Sequence, residues 1–239
     1  MKGSAWGAVP LRPVLWLGVV LAAGCWKKTE GGAGSGGTAV AEEQEPPPIA
    51  EPFVENFETG QLDPTLWNPT SGDYSVEDGA LLVRNARNHP LWLRRPLPCD
   101  VQLDFTTWSD SPDGDIKVEV MGDGASYDPD QGAYLSTGYV FIFGGWRNSL
   151  STIARMDEHQ ARLTVDERTR VEQGRKYRWS IRFIGGTIEW SIDGQPFLRA
   201  EDPEPLCGPG HHHFAVDDWA VPVHFDDLSI TPLETPAVP

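Results

Sequence analysis

Tyr177-Arg-Trp-Ser-Ile-Arg-Phe-Ile184, then Gly185-Gly186, then Thr187-Ile-Glu-Trp-Ser-Ile192 and Asp193-Gly194 is the stretch that decides the fold class. Apolar side chains recur at every second position: Tyr177, Trp179, Ile181 and Phe183, then Ile188, Trp190 and Ile192. In extended backbone that spacing puts them on one face of a strand, because successive Cβ atoms alternate sides. The Gly-Gly pair supplies the left-handed conformations of a two-residue hairpin turn. Asp193-Gly194 then turns the chain back toward Phe197-Leu198. The segment reads as antiparallel sheet.

The same period runs outward in both directions. Val101-Gln-Leu-Asp-Phe105 and Ile116-Lys-Val-Glu-Val120 alternate apolar and polar. Val223 to Ile230 predicts a closing strand. Its apolar Phe225 and Leu228 are an odd number of positions apart, so a bulge is expected at Asp226-Asp227. Met156 to Arg170 is the one segment whose spacing admits a short helix, with a thin apolar face of Met156, Leu163 and Val165. Around a dozen short strands at this spacing predict an all-β antiparallel sandwich of two sheets.

Composition narrows the partners. The 239 residues hold 19 Lys+Arg against 35 Asp+Glu, a formal net charge of −16. Nucleic-acid binding needs cations to displace counterions from phosphates, so this balance argues against it. The 25 glycines and 21 prolines favour short strands joined by turns. No basic amphipathic stretch is present, so the body is not expected to bind anionic lipid directly.

The N-terminus carries an export signal. Lys2 and Arg12 are the only charges before Cys25, and an apolar run from Val14 to Ala23 follows them. That run is shorter than the ~20 residues needed to span a bilayer. Charged, apolar and small residues in this order are those of a secretory signal. Leu21-Ala-Ala-Gly-Cys25 resembles the lipobox of bacterial lipoproteins, with Ala22 where that family usually has leucine. The resemblance implies a signal peptide over 1–24 and acyl chains on Cys25. It also implies a cell-envelope location held by lipid, and Trp26 after the cysteine favours the outer membrane. Residues 25–52, with their Gly-Ser-Gly run and Pro46-Pro-Pro48, read as a disordered linker. The sandwich is expected over 53–233, with a short tail over 234–239. Disulfides persist in oxidising compartments, so Cys99 and Cys207 are expected to pair, the alternatives being free thiols or a metal pair. A monomer is expected.

Four segments carry a family resemblance. Phe53-Val-Glu-Asn-Phe57 with Leu62-Asp-Pro-Thr-Leu-Trp67, and Tyr74-Ser-Val-Glu-Asp-Gly-Ala-Leu-Leu82, are similar to the opening of concanavalin A-like lectin and glucanase sandwiches. Glu189-Trp-Ser-Ile-Asp-Gly194 and Phe225-Asp-Asp-Leu-Ser-Ile230 resemble later parts of that fold. The resemblance covers about residues 53–232 and implies a concanavalin A-like jelly roll. That superfamily includes lectins, laminin-G-like modules and family-16 glucanases, so fold alone does not fix activity. Many relatives hold a structural calcium between first and last strands, and Glu58, Asp226 and Asp227 are candidate ligands here; no other cofactor is expected.

Two constellations are candidates for chemistry. Asp113, Asp115, Lys117 and Glu119 would share one strand face, and retaining glycosidases need two carboxyl groups close together. Asp115 and Glu119 match the outer pair of the family-16 glucanase pattern, but Lys117 stands where that family has aspartate. A lysine there would hold both carboxylates ionised, against the needs of an acid catalyst. The second constellation is aromatic: Tyr139, then Trp146, Arg147 and Asn148 after a glycine pair, suited to the apolar face and hydroxyls of a sugar. Trp92 and Trp219 are further aromatic candidates. The triplet His211-His-His213 reads as an ordered polar turn, the alternatives being a ligand-facing His213 and a metal site. On a strand His211 and His213 would share a face, but no third metal ligand is legible by spacing. The expectation is a lipid-anchored domain that binds carbohydrate without catalysis. The rivals are a polysaccharide hydrolase or lyase using Asp115 and Glu119, and a structural or protein-interaction module of the envelope.

Overall fold

The computed structural model describes residues 45–71, 73–126 and 136–234. Cys25, its acylation and the signal peptide lie outside these residues. Among the described residues fifteen strands follow in order: β1 (Phe53–Glu55), β2 (Trp67–Pro69), β3 (Tyr74–Glu77), β4 (Ala80–Arg84), β5 (Leu91–Leu93), β6 (Val101–Ser109), β7 (Ile116–Gly122) and β8 (Tyr139–Gly144). Then come β9 (Leu150–Arg155), β10 (Arg162–Asp166), β11 (Tyr177–Ile184), β12 (Thr187–Ile192), β13 (Gln195–Glu201), β14 (His213–Asp217) and β15 (Pro222–Pro232). One sheet runs β13-β12-β11-β6-β15-β4-β3, with β1 also paired to β15; the other runs β10-β9-β8-β7-β14-β5-β2. Every pairing described is antiparallel. The molecule is the expected two-sheet jelly-roll sandwich.

The hairpin forms as its pattern requires. Gly185 and Gly186 both take positive φ (55° and 84°), and Asp193-Gly194 repeats this at 52° and 73°. Both central residues of a type I′ turn need such angles, which glycine adopts without steric cost. The turns set the register, pairing Ile181 with Trp190 and Phe183 with Ile188, while β6 places Phe105 opposite Trp179. These inward side chains meet those of the second sheet: Phe141 lies 5.6 Å from Trp190, and Phe143 5.1 Å from Tyr177, both edge-to-face. Large aromatics supply much of such a core through buried area and ring-edge contacts.

Three local outcomes differ from or sharpen the pattern. The segment that admitted a helix instead holds β10, an edge strand paired to β9. Leu163 and Val165 are 37% and 41% exposed. With so little apolar area to bury, a helix would gain nothing, whereas the strand satisfies its backbone through β9. The bulge in β15 is present: the register shifts between Asp226 and Ser229, and Asp227 has φ 52°. Finally, Ile49 is 2% exposed and belongs to the core, although it lies in a stretch whose composition reads as linker. Its N–H donates to Pro96 O at 2.8 Å.

Cys99 and Cys207 are disulfide-bonded, with Cα atoms 5.4 Å apart across a separation of 108 residues. Among the described residues no helix is long and apolar enough to cross a membrane.

Candidate functional site

The middle of the second sheet, from β8 through β7 and β14 to β5, is buried on both faces. Strands β7 and β8 are buried at every position. Ile116, Val118 and Val120 enter the main core, while Val140 and Ile142 form a separate apolar pair. Lys117, Glu119, Ala215 and Asp217 share the face away from the core, by alternation in β7 and β14. The register sets Asp217 beside Lys117 and Ala215 beside both Glu119 and Trp92. Trp92 is 1% exposed, and its indole N–H has no hydrogen-bond partner among the described residues.

The expected row of four side chains is only half present. Gly114 and Asp115 have φ of 72° and 62°, so the chain turns there and β7 begins at Ile116. Asp113 and Asp115 therefore do not continue the Lys117–Glu119 row. Glu119 Oε1 accepts from Gly138 N at 2.6 Å, Thr137 N at 2.8 Å and Thr137 Oγ1 at 3.2 Å. That set of donors gives Glu119 a structural task, fixing the chain where it enters β8.

Asp115 instead joins two loops. Its N–H donates to Gly144 O at 2.9 Å, at the β8–β9 turn, and its Oδ2 accepts from Trp219 N at 3.0 Å, in the β14–β15 loop. Each loop presents a tryptophan to solvent: Trp146 is 38% exposed and Trp219 51%. The Arg162 guanidinium lies 4.3 Å from the Trp146 ring centroid, and His159 packs edge-on at 5.7 Å. Arg87 approaches Trp219 at 6.0 Å. Arg147 is exposed beside Trp146.

Behind these rings lies a buried cluster of charge. Lys117 Nζ is 3.3 Å from Asp217 and 3.5 Å from Glu158, and also bonds Asn88 Oδ1. Burial opposes the lysine's charge, yet Asp217, Glu158 and Asp115 together hold its pKa above the usual value. Burial pushes Asp217 up to about 8 and Asp218 up to about 7. It raises Asp115 as well, against the pull of Lys117. One ammonium among four carboxyl groups leaves protons on some of them near neutrality. The contacting oxygens of Asp217 and Glu158 have no hydrogen bond among the described residues beyond the ion pair with Lys117.

The remaining candidates separate. Tyr139 is fully buried on the core face, donating to Asp202 Oδ2 at 2.6 Å and accepting from Leu206 N at 3.0 Å, so it is no sugar platform. Asn148 is a brace: its amide donates to Pro112 O and Val171 O at 2.9 and 2.8 Å and accepts from Val171 N at 2.8 Å. His213 is 5% exposed and faces Glu45 and Leu93. Glu58, Asp226 and Asp227 lie close enough that burial, Asp227 and Glu58 all raise Asp226. Asp217 and Asp218 were not singled out from sequence. An Asp-Asp pair before tryptophan, ending an apolar strand, was the available signal.

No protein-family model matches the chain, and no curated protein matches it in sequence. Solved structures do resemble it. The carbohydrate-binding module CBM66 from Bacillus subtilis aligns at TM-score 0.53 and 12% identity, covering 69% of this chain and 94% of that one. The exoplasmic/lumenal domain of VIP36, in its Ca2+/Man2-bound form, aligns at 0.59 and 10%, covering 79% and 90%. A Bacillus licheniformis β-glucanase aligns at 0.53 and 11%, covering 77% and 99%. At these identities the likeness shows the fold alone, a concanavalin A-like jelly roll.

Proposed function

We propose that this protein is a carbohydrate-binding module, tethered to a bacterial outer membrane through acylated Cys25. Its ligand lies across Trp146 and Trp219. The observation that carries the reading is a pair of exposed tryptophans on two loops that Asp115 joins. Indole rings offer flat apolar area to the C–H face of a pyranose, and the exposed Arg147 offers hydrogen-bond donors to hydroxyls. The solved relatives include proteins named as carbohydrate-binding, which agrees with this reading.

Glycan-array binding by the full chain tests it. Aromatic anchors carry a large share of binding energy at such sites, so Trp146→Ala and Trp219→Ala should each weaken binding by ~10-fold or more, with little change in Tm. Wild-type binding by both variants would sink the proposal. Calcium at Glu58, Asp226 and Asp227 belongs to the same reading, through carboxylate oxygens. A Tm indifferent to added calcium would strike it out.

The raised pKa values of Asp217 and Asp218 favour one second reading, a hydrolase or lyase in which a protonated carboxyl acts as general acid. It moves the acid role away from Asp115 and Glu119. Reducing-sugar release from a bound glycan, lost in Asp218→Asn, would support it; binding without product would not.

A further inference from the structure

At the far end of the same strand, His213 is held in one tautomer by geometry. Its Nδ1 lies 2.8 Å from Leu93 O. A carbonyl only accepts, so Nδ1 carries the hydrogen and a neutral ring presents a bare lone pair at Nε2. That lone pair faces Glu45 Oε1 at 2.8 Å, and His212 Nε2 faces the same oxygen at 2.9 Å. Among the described residues these three form the one group of His, Cys, Asp or Glu side chains whose ligand atoms all lie within 4.8 Å of one another. Both imidazoles are buried, with side-chain exposures of 9% and 7%.

The His213 lone pair facing a carboxylate oxygen needs positive charge between them, whereas a neutral His212 can donate to the same oxygen from Nε2–H. A proton there would place a buried cationic His213 ring beside His212, their centroids 4.7 Å apart. A single divalent ion would satisfy all three groups at once. We propose that Glu45, His212 and His213 bind a divalent transition-metal ion of the zinc class, leaving one position for water.

The ligand set and its support fit that ion. Two imidazole nitrogens and one carboxylate oxygen suit zinc, whereas calcium takes oxygen ligands. The Nδ1–H bond to Leu93 O is the kind of outer contact that orients a metal-binding imidazole. A Cβ on Gly124 would sit 2.5–2.8 Å from the His213 ring, so glycine there lets the ring lie against the backbone. Zinc–ligand bonds of about 2.0–2.1 Å in tetrahedral array set ligand atoms roughly 3.3 Å apart. The present contacts would open by about half an ångström on binding, a movement open to the half-exposed Glu45. The ion would also be a staple, because Glu45 precedes β1 and stands 168 residues from His213 in sequence. It would fasten the segment preceding β1 to β14, whatever ligand the tryptophans take.

Isothermal titration of the full chain with Zn2+, on protein carrying no polyhistidine tag, is the test. One ion should bind per chain with a dissociation constant below ~1 µM. His212→Ala and His213→Ala should each weaken binding ~100-fold or more, and Glu45→Gln ~10-fold or more. Zinc at a hundredfold excess over the dissociation constant should raise Tm by ~5–10 °C. Cobalt(II) should give the visible absorption of a low-symmetry four- or five-coordinate site, abolished in His212→Ala. Because His213→Ala removes a buried ring, its fold is checked by circular dichroism, and Glu45→Gln supplies the variant least able to disturb packing. Binding weaker than ~100 µM in the wild type, or equal affinity in wild type and Glu45→Gln, would overturn the proposal.

Discussion

Asp218 accepts backbone N–H groups from Ala86 at 2.6 Å and from Val221 at 3.1 Å, so its carboxyl group closes the loop carrying Trp219. Burial nevertheless lifts its pKa to about 7, against an ordinary 3.8. The native state therefore keeps a proton that the unfolded chain has released. The stability this contributes is complete below the unfolded value near 4 and is lost as pH rises through 7. The margin between wild type and Asp218→Asn should shrink by about 1.4 kcal/mol per pH unit across that window. Urea melts at pH 4.5, 5.5 and 6.5 measure it, and a margin independent of pH would contradict the assignment. Lys117 shows the limit of single-strand reasoning. Its alternation in β7 was correct, but its partners Asp217 and Glu158 come from β14 and the β9–β10 loop.

The turn between β8 and β9 is where an element shapes the candidate site. Trp146, Arg147 and Asn148 take φ of 50°, 58° and 58°, a run of left-handed backbone on residues with side chains. Each such residue costs roughly 1–2 kcal/mol, so the turn needs support from outside itself. Asn148 gives it by bonding Pro112 and both backbone groups of Val171. Asn148→Ala should destabilise the protein by about 2–4 kcal/mol and should also weaken ligand binding by displacing Trp146. Asn148→Gly, which removes the brace but relieves the strain, should cost less than alanine. Chemical denaturation of both variants checks the order. The glycine pair signalled a turn in the sequence; its left-handed course depends on residues 23 and 36 positions away.

For the molecule as a whole, the disulfide ties the entry to β6 to the segment between β13 and β14. Sequence separation is 108 residues, so the bond removes much freedom from the unfolded chain. Loop-closure entropy assigns this about 4.7 kcal/mol, and loss of a native disulfide in small secreted domains costs typically 2–5. Reduction, or the Cys99→Ser/Cys207→Ser pair, should lower stability by that amount. The denaturant m-value should rise, because the reduced unfolded chain exposes more surface. Equal stability with and without reductant would argue against this contribution.

Periodicity and turn chemistry determined the sandwich, its hairpins and the bulge at Asp226-Asp227. Those signals are local: alternation reports which side of a strand a residue occupies, and paired glycines or Asp-Gly report where the chain reverses. The sequence by itself also marked Trp146, Arg147 and the histidine triplet as unusual. Only the tertiary structure decided which face each strand turns inward, putting Tyr139 in the core and Lys117 among carboxylates. It alone brought the loops of Trp146 and Trp219 to Asp115, and Glu45 to His212 and His213. Those meetings join residues from separate strands and loops, and one-dimensional spacing carries no record of which sheet lies beneath which loop.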